Sequence, residues 1–204
     1  MDKAVRIYKG NAFFDDVVMI EFMDKVSDAQ TMNEDVVSLY HNEQVIGVNI
    51  FDPEFTKTFT PGFNYPEQDA LNKISDYLKI ENLQYDKHKY LVVGHVKKVE
   101  PIANSEHLQL CDVLVNDTMY SIVCGASNVE VDMKTIVALD NAILPTGVLI
   151  KAGPVLKTHS DGMLCSKREL GMHQRSEEKG IIKLADHEQS GSSFFSIDWR
   201  PYNV

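Results

Sequence analysis

The residues with the most chemical potential lie in two short phrases, IVCGASNV at 122–129 and HSDGMLCSKRELGM at 159–172. Each sets a glycine beside small polar side chains. Gly125 and Gly162 permit a positive φ or a close backbone approach, and Ser127, Asn128, Ser160 and Ser166 can donate to phosphates, sugars or base edges. The second phrase also holds His159 six residues from Cys165, which makes a thiol nucleophile conceivable. No orienting group or oxyanion site accompanies that pair, so catalysis is the weakest of the readings. The three cysteines, Cys111, Cys124 and Cys165, are odd in number and far apart, with no CxxC or nearby HxxxH. They read as buried reduced thiols, not as a disulfide frame or a zinc site, and no cofactor is implied. Glycine-serine corners are also how strands turn in a small barrel, so either phrase alone fits a purely structural role.

Charge narrows the choice only when it is read by region. The whole chain carries a formal −10, which argues against nonspecific binding to duplex nucleic acid. Residues 1–89 hold nine Lys and Arg against sixteen Asp and Glu, a net −7, whereas 90–185 are near neutral with ten against eleven. Within 151–183 the sign reverses to +3, with Lys151, Lys157, Lys167, Arg168, Arg175, Lys179 and Lys183 against four acids. Such a cluster is more often a solvated face than a nucleic-acid patch. Asp15 and Asp16 interrupt the N-terminus before a signal-length apolar run develops, and no stretch approaches eighteen uncharged apolar residues. The expected compartment is therefore the cytoplasm, with no membrane partner.

The elements that must position these residues fall into two textures. VVMIEF (17–22), DVVSLYH (35–41) and QVIGVNIF (44–51) read as strands, the last two forming a hairpin across Asn42-Glu43. Residues 66–80 place Ala70, Leu71, Ile74, Tyr77 and Leu78 at helical spacing, with Pro66, Glu67 and Asp69 suited to a helix start. The polar run 81–89 reads as a linker. From Tyr90 onward come strands at 91–99, 108–116, 119–126 and 134–140, and short extended pieces around 148–157. A short helix is expected at SKREL (166–170), ending at Gly171, and a late strand at IIKLA (181–185). The expectation is an α+β domain over 1–89, followed by an all-β five-stranded closed barrel over 90–185. An SH3-like barrel would read much the same way.

Taken in order, the phrases resemble the tRNA-binding domain family. The matching elements are VVGHVxxVE (92–100), NSEHL (104–108), LxLCDV (108–113), IVCGAxNV (122–129), VAL (137–139), LPxG (144–147) and SDGMLCSxxELG (160–171). That module occurs in the bacterial phenylalanyl-tRNA synthetase β subunit, in methionyl-tRNA synthetases and as stand-alone tRNA-binding proteins. The acidic segment in front, with VIGVNIF at 45–51, is similar to the two-domain YtpR type. The resemblance implies an OB fold that takes tRNA by shape and backbone, without catalysis. It also implies nucleic-acid contacts at Asn104, His107, Asn128, Lys157, Ser160, Gly162, Met163 and Ser166. Relatives usually show HPNAD with a Lys or Arg before the leucine; here the loop reads IANSEH, and His107 replaces the cation. A neutral imidazole contributes little phosphate attraction, so weaker or more selective binding is expected.

Two questions stay open at this level. A barrel of this kind also resembles CsaA, a small dimeric chaperone associated with protein export, and an apolar groove could hold polypeptide instead of RNA. The segment 186–204 carries Phe194, Phe195, Trp199 and Tyr202, which either pack on the barrel or form a homodimer contact. For the acidic 1–89 segment the expected role is docking to a protein partner.

Overall fold

A computed structural model of the protein describes residues 4–11, 15–103, 105–172 and 179–202. The chain divides into two compact units, Met1–Tyr85 and Asp86–Val204.

In the first unit the strands are β1 (Arg6–Lys9), β2 (Val18–Glu21), β3 (Ala29–Asn33), β4 (Val36–His41), β5 (Gln44–Ile50) and β6 (Gly62–Asn64). They form one antiparallel sheet in the order β3-β4-β5-β2-β1-β6. Ile7 pairs with Ile20 and Ile20 with Val48, and all three are buried with Val18 and Ile50. Because side chains alternate across a strand, this register gathers the β-branched residues on one face. The β4–β5 hairpin turns at Asn42 and Glu43, both at positive φ, as a tight turn between twisted strands requires. Two helices follow β5: α1 (Pro53–Thr56) and α2 (Gln68–Leu78). The Asp52 carboxylate caps α1 by accepting from Glu54 N–H at 2.8 Å and Phe55 N–H at 3.1 Å. The α2 helix buries Leu71 and Ile74, at the expected helical spacing, and stops at left-handed Lys79. Strands β1, β3 and β6 have no counterpart in the sequence reading. β3 is exposed along its whole length and lacks the apolar alternation that marks a strand.

The second unit is an OB-type barrel, the fold expected. Its strands are β7 (Leu91–Pro101), β8 (Gln109–Val115), β9 (Thr118–Cys124), β10 (Lys134–Leu139), β11 (Gly153–Val155), β12 (Thr158–Ser160) and β13 (Gly162–Leu164). Five of them make an antiparallel sheet ordered β13-β10-β7-β8-β9, and β11 with β12 makes a separate hairpin. A bulge between Val96 and Lys98 bends β7 and raises its twist, which lets one long strand serve the curving sheet. The sheet closes on itself where the β12–β13 corner meets β9. There Asp161 N–H donates to Ser121 O at 2.9 Å, and Ser121 N–H donates to the Asp161 carboxylate at 2.8 Å.

Alternation along β7 and β10 builds two cores. Val92, Val96, Val137 and Leu139 point inward with Cys111, Val113, Ile122 and Leu164. Leu91, Val93, Ile136 and Ala138 point outward into a second cluster that contains Phe194, with Phe195, Trp199 and Tyr202 packed against it. The C-terminal segment thus covers the outer face of the barrel. Backbone bonds fix it there: Val93 N–H donates to Ser192 O, and Gly191 N–H to Val93 O, each at 2.8 Å. Burial on both faces is why these two strands read as continuous apolar runs.

Two local expectations fail. Residues 166–170 form a single turn in place of a helix: the Ser166–Glu169 capping box opens the run, and Gly171 at φ +73 closes it at once, with Met172 N–H donating to Lys167 O at 2.8 Å. Residues 181–185 run extended beside the barrel but join no ladder. Their bonds alternate between two different partners, Ile182 N–H to Cys165 O and Leu184 N–H to Lys134 O.

Candidate nucleic-acid interface

The barrel carries a groove of about 570 Å³ between the β7–β8 loop, the end of β9, the β11–β12 hairpin and the start of β13. Its apolar lining comes from Leu108, Val123, Ile150, Val155, Met163 and Leu164, and its polar edge from Ser166, Glu169 and Lys151. A second recess of about 440 Å³ shares Gly180 and Ile181 with it and is lined by Asn128, Lys167, Lys179, Lys183 and Tyr202. One wall therefore separates an apolar cleft from a lysine-rich one.

Ser160 is buried at 3% exposure, and its hydroxyl is used inside the fold. It accepts from Val123 N–H at 3.0 Å and donates to Gly162 O at 2.7 Å, joining β12 to β9 and to β13. Gly162 lies where a Cβ would stand 2.2 Å from Ala138 O, so only glycine lets β13 approach β10 here. Asn128 behaves like Ser160. Its amide donates to Ile181 O at 2.8 Å and accepts from Ile181 N–H at 3.0 Å, mimicking one strand pair across 53 residues. The neighbouring Gly180, at φ +107, leaves no room for a Cβ beside that amide. Asn128 thus pins the segment that presents Lys179 and Lys183.

Met163 is half-buried and lines the groove. Ser166 sits at its rim with both N–H and Oγ–H on Glu169 Oε2, at 2.7 Å each, while Glu169 N–H returns to Ser166 Oγ at 3.3 Å. This is a capping box closed on itself. Lys157 is exposed at the hairpin tip. His107 is exposed in the β7–β8 loop, which meets the groove through Leu108, whose N–H donates to Ser105 Oγ at 3.0 Å. Asn104 lies outside the described residues. The fold therefore brings Gly162, Met163 and Ser166 to one groove, buries the hydroxyl of Ser160, and commits the amide of Asn128, exposed on the second recess, to the Ile181 backbone. The site reading missed Leu108, Val155 and Ile150, whose apolar side chains carry no signal separating a groove from a core. Lys167, Lys179 and Lys183 were visible only as members of the +3 stretch.

The thiols fall into two environments, Cys111 with Cys124 in the inner core and Cys165 in the outer one. Cys165 is fully buried, and desolvation pushes its pKa far above the ordinary thiol value. His159 is largely exposed and turns to Asp161 at 3.2 Å. Cys111 and Cys124 share a hydrogen bond, which raises Cys111 and lowers Cys124, the latter also accepting from Ala126 N–H at 3.4 Å. Cys124 lines the groove. Among the described residues no group of three or more His, Cys, Asp and Glu is placed to hold a metal ion, and no helix is long and apolar enough to cross a membrane.

An OB-type barrel with a glycine-serine corner at its groove defines the class, and comparison with known proteins gives the family. The family model described as "Putative tRNA binding domain" matches residues 91–193, and the chain belongs to that family. It is 31% identical over 200 residues to the "Putative tRNA-binding protein YtpR" of Bacillus subtilis, covering 90% of this chain and 98% of that one. An uncharacterized protein of Mycoplasma pneumoniae is 34% identical over 170 residues, with 78% of this chain and 71% of that one covered. The phenylalanine–tRNA ligase beta subunit of Ehrlichia canis is 36% identical over 132 residues, 63% of this chain but 17% of that subunit.

Proposed function

We propose that this chain binds tRNA in the groove of its barrel and performs no chemistry there. The observation that carries this reading is the pair of adjoining clefts, one apolar and centred on Met163, the other edged by Lys167, Lys179 and Lys183. An apolar cleft suits exposed base or ribose faces, and flanking lysines suit phosphates. The family match and the Bacillus relative support RNA of the tRNA class. Recognition by shape and backbone follows from how the polar side chains are used. Ser160 and Asn128, the groups best suited to reading base edges, are committed to the protein's own backbone. What remains at the rim is charge and apolar surface, which are indifferent to sequence. The absence of chemistry is supported by the exposed His159 being turned to Asp161 while Cys165 is fully buried, and by the raised pKa of the Cys165 thiol.

The test is a titration of the full chain with labelled tRNA at several salt concentrations, against a hairpin RNA of equal length. Saturable tRNA binding that weakens as salt rises, with the hairpin bound less tightly, is expected. Suppression of client aggregation without any tRNA shift would replace this reading with a chaperone.

A further inference from the structure

β11 and β12 are joined by a two-residue loop, Leu156-Lys157, with Val155 paired to Thr158. Leu156 has φ +55, whereas Lys157 is not among the positive-φ residues. A positive φ at the first loop residue alone is the pattern of a II′ turn, whose first place normally goes to glycine. Among the described residues eight non-glycines have positive φ; seven are Asn, Asp, Glu or Lys, and Leu156 is the one apolar member. A bulky L-residue is strained in this region.

Among the described residues no burial of the side chain offsets that strain. The Leu156 side chain is 73% exposed, more than any other large apolar residue described in the C-terminal unit. The hairpin carrying it has a fixed base, since Ser160 is bonded to Val123 and Asp161 to Ser121. Val155, next to the tip and 40% exposed, lines the groove together with Met163. Lys157, on the other side, has no ion-pair partner among the described residues. Asp161, the acid nearest in sequence, is already engaged by Ser121 N–H and His159. A strained apolar tip beside an uncompensated cation at the mouth of a cleft suits a ligand that is both flat and anionic.

We propose that Leu156 and Val155 form an apolar wedge on which an unstacked nucleobase of the bound RNA packs, with Lys157 on the adjoining phosphate. This rests on the tRNA-binding reading and adds that the RNA must present a base outside its helical stack. The strain is then retained for a contact made only in the complex.

The experiment compares the wild-type chain with Leu156→Gly, Leu156→Asn and Lys157→Ala, measuring thermal unfolding and tRNA affinity over a salt series. Glycine and asparagine both tolerate the left-handed conformation. Both Leu156 variants should unfold a few degrees higher than wild type, yet bind tRNA about fivefold to tenfold more weakly with an unchanged salt slope. Lys157→Ala should instead flatten the slope by about one counterion. A fully paired RNA duplex should bind wild type and Leu156→Gly alike. Higher stability with unchanged tRNA affinity would overturn the wedge while leaving tRNA binding intact. So would a Leu156 variant that turns a wild-type dimer into a monomer in sedimentation, because the tip would then contact a second copy. Failure of the wild type itself to bind tRNA at any salt would overturn the parent reading instead.

Discussion

Replacing Ser160 with alanine separates a positioning role from a contact role at the most prominent serine of the motif. The hydroxyl is buried at 3% exposure and holds two bonds, from Val123 N–H at 3.0 Å and to Gly162 O at 2.7 Å. Val123 is itself 8% exposed, so water cannot readily take the place of the lost acceptor. A buried donor left unsatisfied costs about 1–3 kcal/mol, and with the lost bond to Gly162 O added the total is taken as about 2 kcal/mol. In a unit the size of Asp86–Val204, each kcal/mol moves the midpoint by about 3–5 °C, so Ser160→Ala should lower it by roughly 6–10 °C. The assay is calorimetry or circular dichroism on the full chain, paired with a tRNA titration well below the lowered midpoint. There the groove is still folded, and affinity should fall by less than about threefold, under ~0.7 kcal/mol. A variant with an unchanged midpoint and tenfold weaker binding would refute the reasoning, because the hydroxyl would then face the RNA.

Four further outcomes follow from the same geometry. Asn128→Ala removes both bonds to Ile181 and releases the segment presenting Lys179 and Lys183; tRNA affinity should drop and its salt dependence flatten, and an unchanged slope would mean those lysines do not meet phosphate. Thr135 is fully buried and its hydroxyl has no partner among the described residues, so Thr135→Val should raise the unfolding midpoint, by about 1 kcal/mol of stability. His107→Lys restores a cation to the β7–β8 loop and should steepen the salt slope by about 0.7–0.9, whereas an unchanged slope and affinity would show that this loop does not touch phosphate. The Asp52 carboxyl lies below its ordinary value, first through the Phe55 N–H bond. A depressed carboxyl stabilises above its unfolded pKa and loses that contribution as pH falls through its folded one. The stability gap between wild type and Asp52→Ala, followed in the N-terminal unit, should therefore be constant above about pH 5 and close below about pH 4.

Local chemistry made much of this molecule legible before folding is considered. Asn42-Glu43 between two β-branched runs specifies the β4–β5 hairpin, and Leu71 and Ile74 at helical spacing specify α2. The apolar runs of 91–99 and 134–140 became β7 and β10. These signals work because each element's partners lie within a few residues or repeat along one face. β3 escaped because an exposed edge strand such as AQTMN needs no apolar period. It pairs only because β4 lies beside it. The SKREL segment had helical composition, but Gly171 at positive φ stops it one turn after the Ser166–Glu169 capping box starts it.

The groove shows the same division more sharply. Sequence alone determined that Ser160, Gly162, Met163 and Ser166 belong to one corner, since they are neighbours in the chain, and that 151–183 is locally basic. Only the tertiary structure decided which way each side chain faces. Ser160 turns inward because Val123, 37 residues away, offers an unpaired N–H, and Asn128 turns to Ile181 across 53 residues. Leu156 turns outward because the II′ turn and the bolted base of its hairpin leave it no interior to enter. A buried donor must find its acceptor wherever the chain brings one, and that pairing is set by the closure of the barrel.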